Sequence, residues 1–245
     1  MSLRKVSYGD DPVQYAELHR PAGESRGVVV VIHGGFWKAH YDASLGRPLA
    51  ISLAEAGWTA WNLEYRRVGN GGGFPQTLDD VATGIDALAG VDDLDTSRVV
   101  TLGHSAGGHL ATWAASRGRF ERWQPERVRI TGVVSQAGVL DLRAAHELGL
   151  GESAVEAFLG HSPGPDDDPV DPLRQAPLDV PVRCIHPRDD PRVPVGQSRD
   201  YVAKARATGA DADLLEVDGD HFVVIDTSTH VWARTLEILD QLHSR

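Results

Sequence analysis

The sequence predicts an α/β domain built on a mostly parallel sheet, and two observations support this. Short β-rich runs alternate along the chain with segments of helical periodicity. Residues 27–32, GVVVVI, are continuously apolar over the length of one strand, as a strand buried on both faces must be.

Weaker runs of the same kind at 59–63, 98–102, 130–135, 180–185 and 213–217 predict further strands. Residues 13–18 alternate in polarity and predict an antiparallel edge strand. Between the strands, Leu78, Val81, Ile85 and Leu88 follow Phe74-Pro75 at spacings of three and four and give one helix an apolar face. Leu49, Leu53 and Ala56 do the same before Gly57, a helix stop. Residues 231–242 read as a final amphipathic helix. The rhythm breaks at 141–178, where a short helix at 153–159 precedes the loop SPGPDDDPVDP. This stretch is expected to be a lid insertion over one end of the sheet, with a plain surface loop as the alternative. Asp166, Asp167 and Asp168 read as a solvated acidic turn rather than a calcium site. At 245 residues, with no repeat or linker and about 150 residues per domain as a guide, a single domain over 1–245 is expected.

Composition narrows the function classes. The 35 acidic against 24 basic residues give a formal charge of −11, which repels phosphate backbones and anionic lipid. No nucleic-acid or membrane partner is expected. The single cysteine, Cys184, lies in an apolar run and rules out an internal disulfide or a Cys-based zinc site. No apolar stretch approaches the roughly 20 residues of a membrane span, and the first ten residues lack the apolar core of a signal peptide. A soluble, cytoplasmic protein is expected, acting on a small-molecule substrate, with homodimer formation left open.

The strongest chemical signal is Gly103-His104-Ser105-Ala106-Gly107, which follows the strand RVVTL and opens a helical pattern. A Ser in G-x-S-x-G between strand and helix is a nucleophile elbow. The turn is too tight for side chains at 103 and 107, and the N–H groups after the Ser face developing negative charge at a helix start. His33-Gly34-Gly35-Phe36-Trp37 directly follows GVVVVI. Its glycines let the backbone approach a substrate oxygen, as an oxyanion loop after the third strand requires, although Phe36 stands where a third glycine is common.

Serine needs a base, and the base needs an orienting carboxylate. His221, in VDGDHF after a strand and before the last helix, is the candidate base. His186 is its nearest competitor. His230 and His243 fall in the terminal helix, and His104 and His109 lie too close to Ser105 in sequence. Asp189 and Asp190 are the candidate acids; the D-x-x-V-P spacing selects Asp190. A helix-capping role competes for either.

HGGFW at 33–37, EYRR at 64–67, FP at 74–75, GHSAGGH at 103–109, DDPRVP at 189–194 and DGDHF at 218–222 together resemble the α/β-hydrolases of the HGGxW group. That group includes kynurenine formamidase-like enzymes and small esterases near the hormone-sensitive lipase branch. The match runs over nearly the whole chain and departs at Pro187, where glycine is frequent. The resemblance implies an eight-stranded, mostly parallel sheet and a triad of Ser105, Asp190 and His221. It also implies an oxyanion hole from the N–H groups of Gly35, Phe36 and Ala106, and no cofactor. The expected reaction is hydrolysis of a small ester or aryl formamide through an acyl-enzyme, with Trp37 or Tyr65 meeting an aryl group. For Trp37, core packing is the competing role. A general carboxylesterase is the alternative substrate class, and a catalytically dead binding protein on the same scaffold is a third reading.

Overall fold

A computed structural model describes residues 3–243; Met1 and Ser2 of the stretch read for a signal peptide lie outside the described residues. The strands are β1 Leu3–Ser7, β2 Tyr15–His19, β3 Val28–Ile32, β4 Thr59–Leu63, β5 Val99–His104, β6 Gly132–Gln136, β7 Val182–Pro187 and β8 Ala212–Val217. They form one sheet in the order β1-β2-β4-β3-β5-β6-β7-β8. β1–β2 and β2–β4 pair antiparallel and the remaining pairs are parallel. The strand expected at 13–18 is therefore β2, but it is not the edge. Ala16 and Leu18 on β2 are buried, and the polar β1, LRKVS, lies outside it as a mostly exposed edge.

Eight helices flank the sheet among the described residues: α1 Arg47–Glu55, α2 Gln76–Asp86, α3 Ala106–Ala114, α4 Leu142–Glu147, α5 Leu150–Leu159, α6 Pro172–Gln175, α7 Gly196–Ala207 and α8 His230–His243. β3 shows why the sheet is covered on both sides. Val28, Val30 and Ile32 join the core beneath α2, α3 and α7, while Val29 and Val31 join the core beneath α1 and α8. Successive side chains point to opposite faces, so an all-apolar strand needs two covers. No described helix is long and apolar enough to cross a membrane.

The stretch 141–178 holds α4, α5 and α6. Its acidic run is tied down by protein groups: Asp167 accepts from His161 Nε2 at 3.0 Å and from the Gly164 N–H at 2.7 Å, and Asp168 pairs with Arg143. Register then sets the position of the site. Ile32 aligns with Gly103, and His104 with Gln136, so β3 and β5 end at one edge of the sheet. The loops after β3, β5, β7 and β8 gather at that edge, where open α/β sheets bind ligands.

Candidate active site

Ser105 sits between β5 and α3 with φ 58° and ψ −121°, a conformation that L-residues rarely adopt. Its neighbours hold it there. A Cβ on Gly103 would stand 2.0 Å from the Gly107 carbonyl oxygen, and one on Gly107 would stand 2.0 Å from that of Ile32. Both positions exclude every side chain, which is the steric content of the sequence motif. The Ser105 N–H donates to the Gln136 carbonyl at 2.9 Å and ties the turn to β6.

The loop after β3 presses on this turn. A Cβ on Gly34 would lie 2.6 Å from the His104 carbonyl oxygen and 3.0 Å from Ser105 Cβ. Phe36 and Trp37 both have positive φ, 53° and 55°. Among the described residues, no group accepts from the N–H of Gly35, Phe36 or Ala106. The residues EYRR brace the loop from below. The Tyr65 hydroxyl donates to the His33 carbonyl at 2.7 Å. Burial, then the charge of Arg67, pushes the His33 imidazole down to about 3, so the ring is neutral. It donates from Nδ1 to the Gly34 carbonyl at 2.8 Å and accepts at Nε2 from Arg67 at 3.2 Å. Arg67 also pairs with Glu64, whose other oxygen accepts from the Ala43 N–H at 2.7 Å.

The loops after β7 and β8 bring Asp190 and His221 together. His221 Nδ1 donates to Asp190 Oδ2 at 2.6 Å, which leaves the lone pair of a neutral ring on Nε2. Asp190 Oδ1 accepts from the N–H groups of Arg192 at 2.8 Å and Val193 at 3.0 Å. Burial alone would raise the Asp190 carboxyl; the bond from His221 and these two N–H groups outweigh it and hold the group below the ordinary range. Asp189, beside it, is exposed. His186 has both ring nitrogens occupied, by Ser198 Oγ at 2.7 Å and the Val193 carbonyl at 2.8 Å. His104 places Nε2 at 2.9 Å from the His221 carbonyl, and burial, then the neighbouring His221, pushes it down to about 3.

Ser105 and His221 line one cavity of about 70 Å³, together with Gly35 and Phe36. Tyr41, Leu45, Phe222 and Ile225 form its apolar wall. Trp37 and Tyr65, expected to meet an aryl group, do not line it. Trp37 is 1 % exposed, stacks on Phe158 and donates to His109 Nδ1 at 3.2 Å. Tyr65 is fully buried with its hydroxyl spent on His33. Both belong to the support of the loop. The wall residues Tyr41, Leu45 and Ile225 carry no motif and escaped the sequence reading. Phe222, adjacent to His221, was open to detection.

A parallel sheet wrapped by helices, with a strained Ser at a strand–helix elbow, is the α/β-hydrolase fold. More narrowly, the chain belongs to the BD-FAE family, whose model matches residues 17–205. That span contains Ser105 and Asp190; His221 lies beyond it. Among curated proteins the chain is 27% identical to the isoprenylcysteine alpha-carbonyl methylesterase ICME of Arabidopsis thaliana, over 88% of this chain and 55% of that protein. It is 29% identical to esterase LipC of Mycobacterium tuberculosis, over 88% of this chain and 58% of that one. The chain thus spans little more than half the length of these relatives. Among solved structures, esterase B from Lactobacillus rhamnosis superimposes with a TM-score of 0.84 at 21% identity, covering 99% of this chain and 86% of that one. This last likeness is one of fold.

Proposed function

We propose that the protein is a serine hydrolase that cleaves short-acyl carboxylic esters through an acyl-enzyme. The observation behind this reading is the His221–Asp190 bond at 2.6 Å, on a residue that shares a cavity with the strained Ser105. His221 Nε2 takes the Ser105 proton as the hydroxyl attacks the ester carbonyl. Asp190 holds the ring in that tautomer and stabilises the imidazolium. The oxyanion is received by the N–H groups of Gly35, Phe36 and Ala106. His221 then returns its proton to the leaving alcohol, and water repeats the sequence on the acyl-enzyme. Each step uses groups of the chain itself. The family and the names of the relatives, both esterases, support the same class.

Cavity size supports a short acyl group. The space of about 70 Å³ beside Ser105 and His221 favours a small acyl group over a long chain. An aryl formamide is the second reading, since formyl is the smallest acyl group and fits the same space. Its aryl part would then meet Phe222 and Tyr41 rather than Trp37 or Tyr65. The stretch 141–178 borders an adjoining groove through residues 148–152 rather than the catalytic cavity, and is anchored to the loop after β3 where Phe158 stacks on Trp37.

The test is covalent labelling by a fluorophosphonate with and without Ser105→Ala, together with rates on 4-nitrophenyl acetate and N-formylkynurenine. Labelling of the parent only, with faster ester turnover, is expected. Failure of the parent to label would overturn the serine mechanism and favour a dead binding protein. A large excess of formamide over ester turnover would reverse the substrate order.

A further inference from the structure

We infer that a groove leading out of the catalytic cavity is a carboxylate-binding subsite anchored by Arg192, so that preferred esters carry a second, ionised acid group. This inference rests on the esterase reading and narrows its substrate class. The groove has a volume of about 460 Å³ and shares Phe36, Tyr41 and Arg192 with the catalytic cavity, so the two are continuous. Lys38 and Arg192 both line it, and Glu152 is the single acidic residue among the lining groups.

The state of Arg192 separates it from most cations of this acidic chain. Arg66, Arg122 and Arg199 are each held by two bonds to a carboxylate, of Asp80, Asp79 and Glu216 respectively. The Arg192 guanidinium has no hydrogen-bonding or ion-pair partner among the described residues. Its carbon lies over the Phe222 ring, 5.1 Å from the centre, a cation–π contact that uses none of its N–H donors. Its backbone N–H bonds Asp190 Oδ1, so the side chain departs from a point fixed against the proposed triad. An open guanidinium edge matches a carboxylate in two parallel bonds.

Lys38 completes the subsite. Its ammonium donates to the Gly151 carbonyl at 3.0 Å, and among the described residues its only carboxylate contact is Glu152 at 3.3 Å. The Glu152 side chain is 94% exposed, so that pair is weak and a substrate carboxylate displaces it at little cost. The chain's charge of −11 repels anions at long range. Preference for an anion must therefore come from contacts as local as these, and salt must weaken it.

The acid group can sit on the acyl or the alcohol side of the ester, and two matched pairs separate these. The acyl pair is 4-nitrophenyl hydrogen glutarate against the corresponding glutaramate. The alcohol pair is 4-acetoxybenzoate against 4-acetoxybenzamide. The readout is the ratio of kcat/KM, anionic over neutral, within each protein, corrected for spontaneous hydrolysis, so a general change in activity cancels. A ratio above one is expected on at least one pair, falling about tenfold in Arg192→Gln, as loss of one charge-assisted contact implies. It should invert in Arg192→Glu, fall less in Lys38→Gln, and decline with added salt. An active, fluorophosphonate-labelled enzyme whose ratios are the same in all four proteins overturns the subsite alone. Four inert esters and no labelling overturn the esterase reading, and the subsite with it.

Discussion

The ring of His104 packs 4.5 Å from that of His221, and its Nε2 donates to the His221 backbone carbonyl at 2.9 Å. His104 thus holds the proposed base through its backbone carbonyl, while Asp190 holds it through Nδ1. Replacing it with leucine should lower kcat about tenfold, the size of one lost orienting hydrogen bond, with KM little changed. Glutamine, which can still donate, should recover part of the loss. Equal kcat for both variants would show that His104 only fills space.

Asp190 and Asp189 are adjacent in sequence and opposite in environment. Asp190 is 8 % exposed and bonded to His221, while Asp189 faces solvent. Asp190→Asn leaves the shape intact but offers a donor to Nδ1, favouring the wrong tautomer. A fall in kcat of about 10⁴ is expected, by analogy with other Ser-His-Asp sites. Asp189→Asn should leave turnover within about twofold, since an exposed side chain of this kind contributes little. Steady-state kinetics on one activated ester decides between them; the reverse ranking would assign the role to Asp189.

Part of that contrast is legible in the sequence, where the D-x-x-V-P spacing selects Asp190 over Asp189. β3, the glycines at 103 and 107, and the order Ser105, Asp190, His221 are local or serial properties. Sterics at the elbow admit only glycine, and apolar continuity marks a doubly covered strand. What the D-x-x-V-P spacing does not carry is the cause: the N–H groups of Arg192 and Val193 that turn Asp190 inward are aligned only by the folded loop. The polar β1 pairs through its backbone and leaves no apolar pattern to read. For Trp37 the sequence leaves substrate contact and core packing both open, and the fold places it in the core. The left-handed turns at Phe36 and Trp37 carry the indole into the core, and no spacing rule announces two such residues in a row. The cavity wall is likewise tertiary: Leu45 and Phe222 stand 39% and 45% exposed at the mouth, like other apolar residues until the fold brings them together.

Tyr65→Phe removes a single oxygen from the brace under the loop. The His33 carbonyl then has lost its 2.7 Å partner in a fully buried place. A loss of about 1–3 kcal/mol of stability is expected, the cost of an unsatisfied buried acceptor. Turnover should fall more than substrate affinity, because Gly35 and Phe36 follow directly. Denaturant melts and kinetics test both; a rise in KM alone would place Tyr65 in substrate contact instead.

Three buried histidines set an acid limit. Burial pushes His33 and His104 down to about 3 and His109 to about 4, from an ordinary value of 6.5. Above 6.5 the folded and unfolded rings are both neutral and stability is unaffected. Below it the unfolded chain takes up protons that the fold refuses, and stability is lost as pH falls toward the folded values. The slope is about 1.4 kcal/mol per pH unit for each ring. Asp171 opposes this: burial, then the charge of Asp141, raises it from 3.8 to about 6. Its contribution is fully present below 3.8 and is lost as pH rises through about 6, so it recovers part of the loss on acidification. One carboxyl against three imidazoles leaves a net decline between pH 6.5 and 4.5. Thermal melts that stay level across that window would mean that the rings are protonated in the fold.

The first turn of α5 stores strain beside the loop after β3. Gly151, Glu152 and Ser153 all have φ 61°, the left-handed region, before the right-handed turns begin. Only glycine is at ease there; a side chain costs about 1–2 kcal/mol. Lys38 holds the turn through the Gly151 carbonyl at 3.0 Å, and the Phe36 ring, which a Cβ on Gly151 would strike, keeps that position glycine. Ser153→Gly should therefore stabilise the protein by up to about 1 kcal/mol, or roughly 2–4 °C in Tm for a domain of this size. Ala157→Gly, exposed and four residues further along the same helix, should destabilise by about 0.5–1 kcal/mol, since glycine weakens a right-handed turn. Opposite signs from the same incoming residue isolate backbone handedness from any effect of the side chain removed. A loss of stability in both variants would show that Ser153 sits without strain.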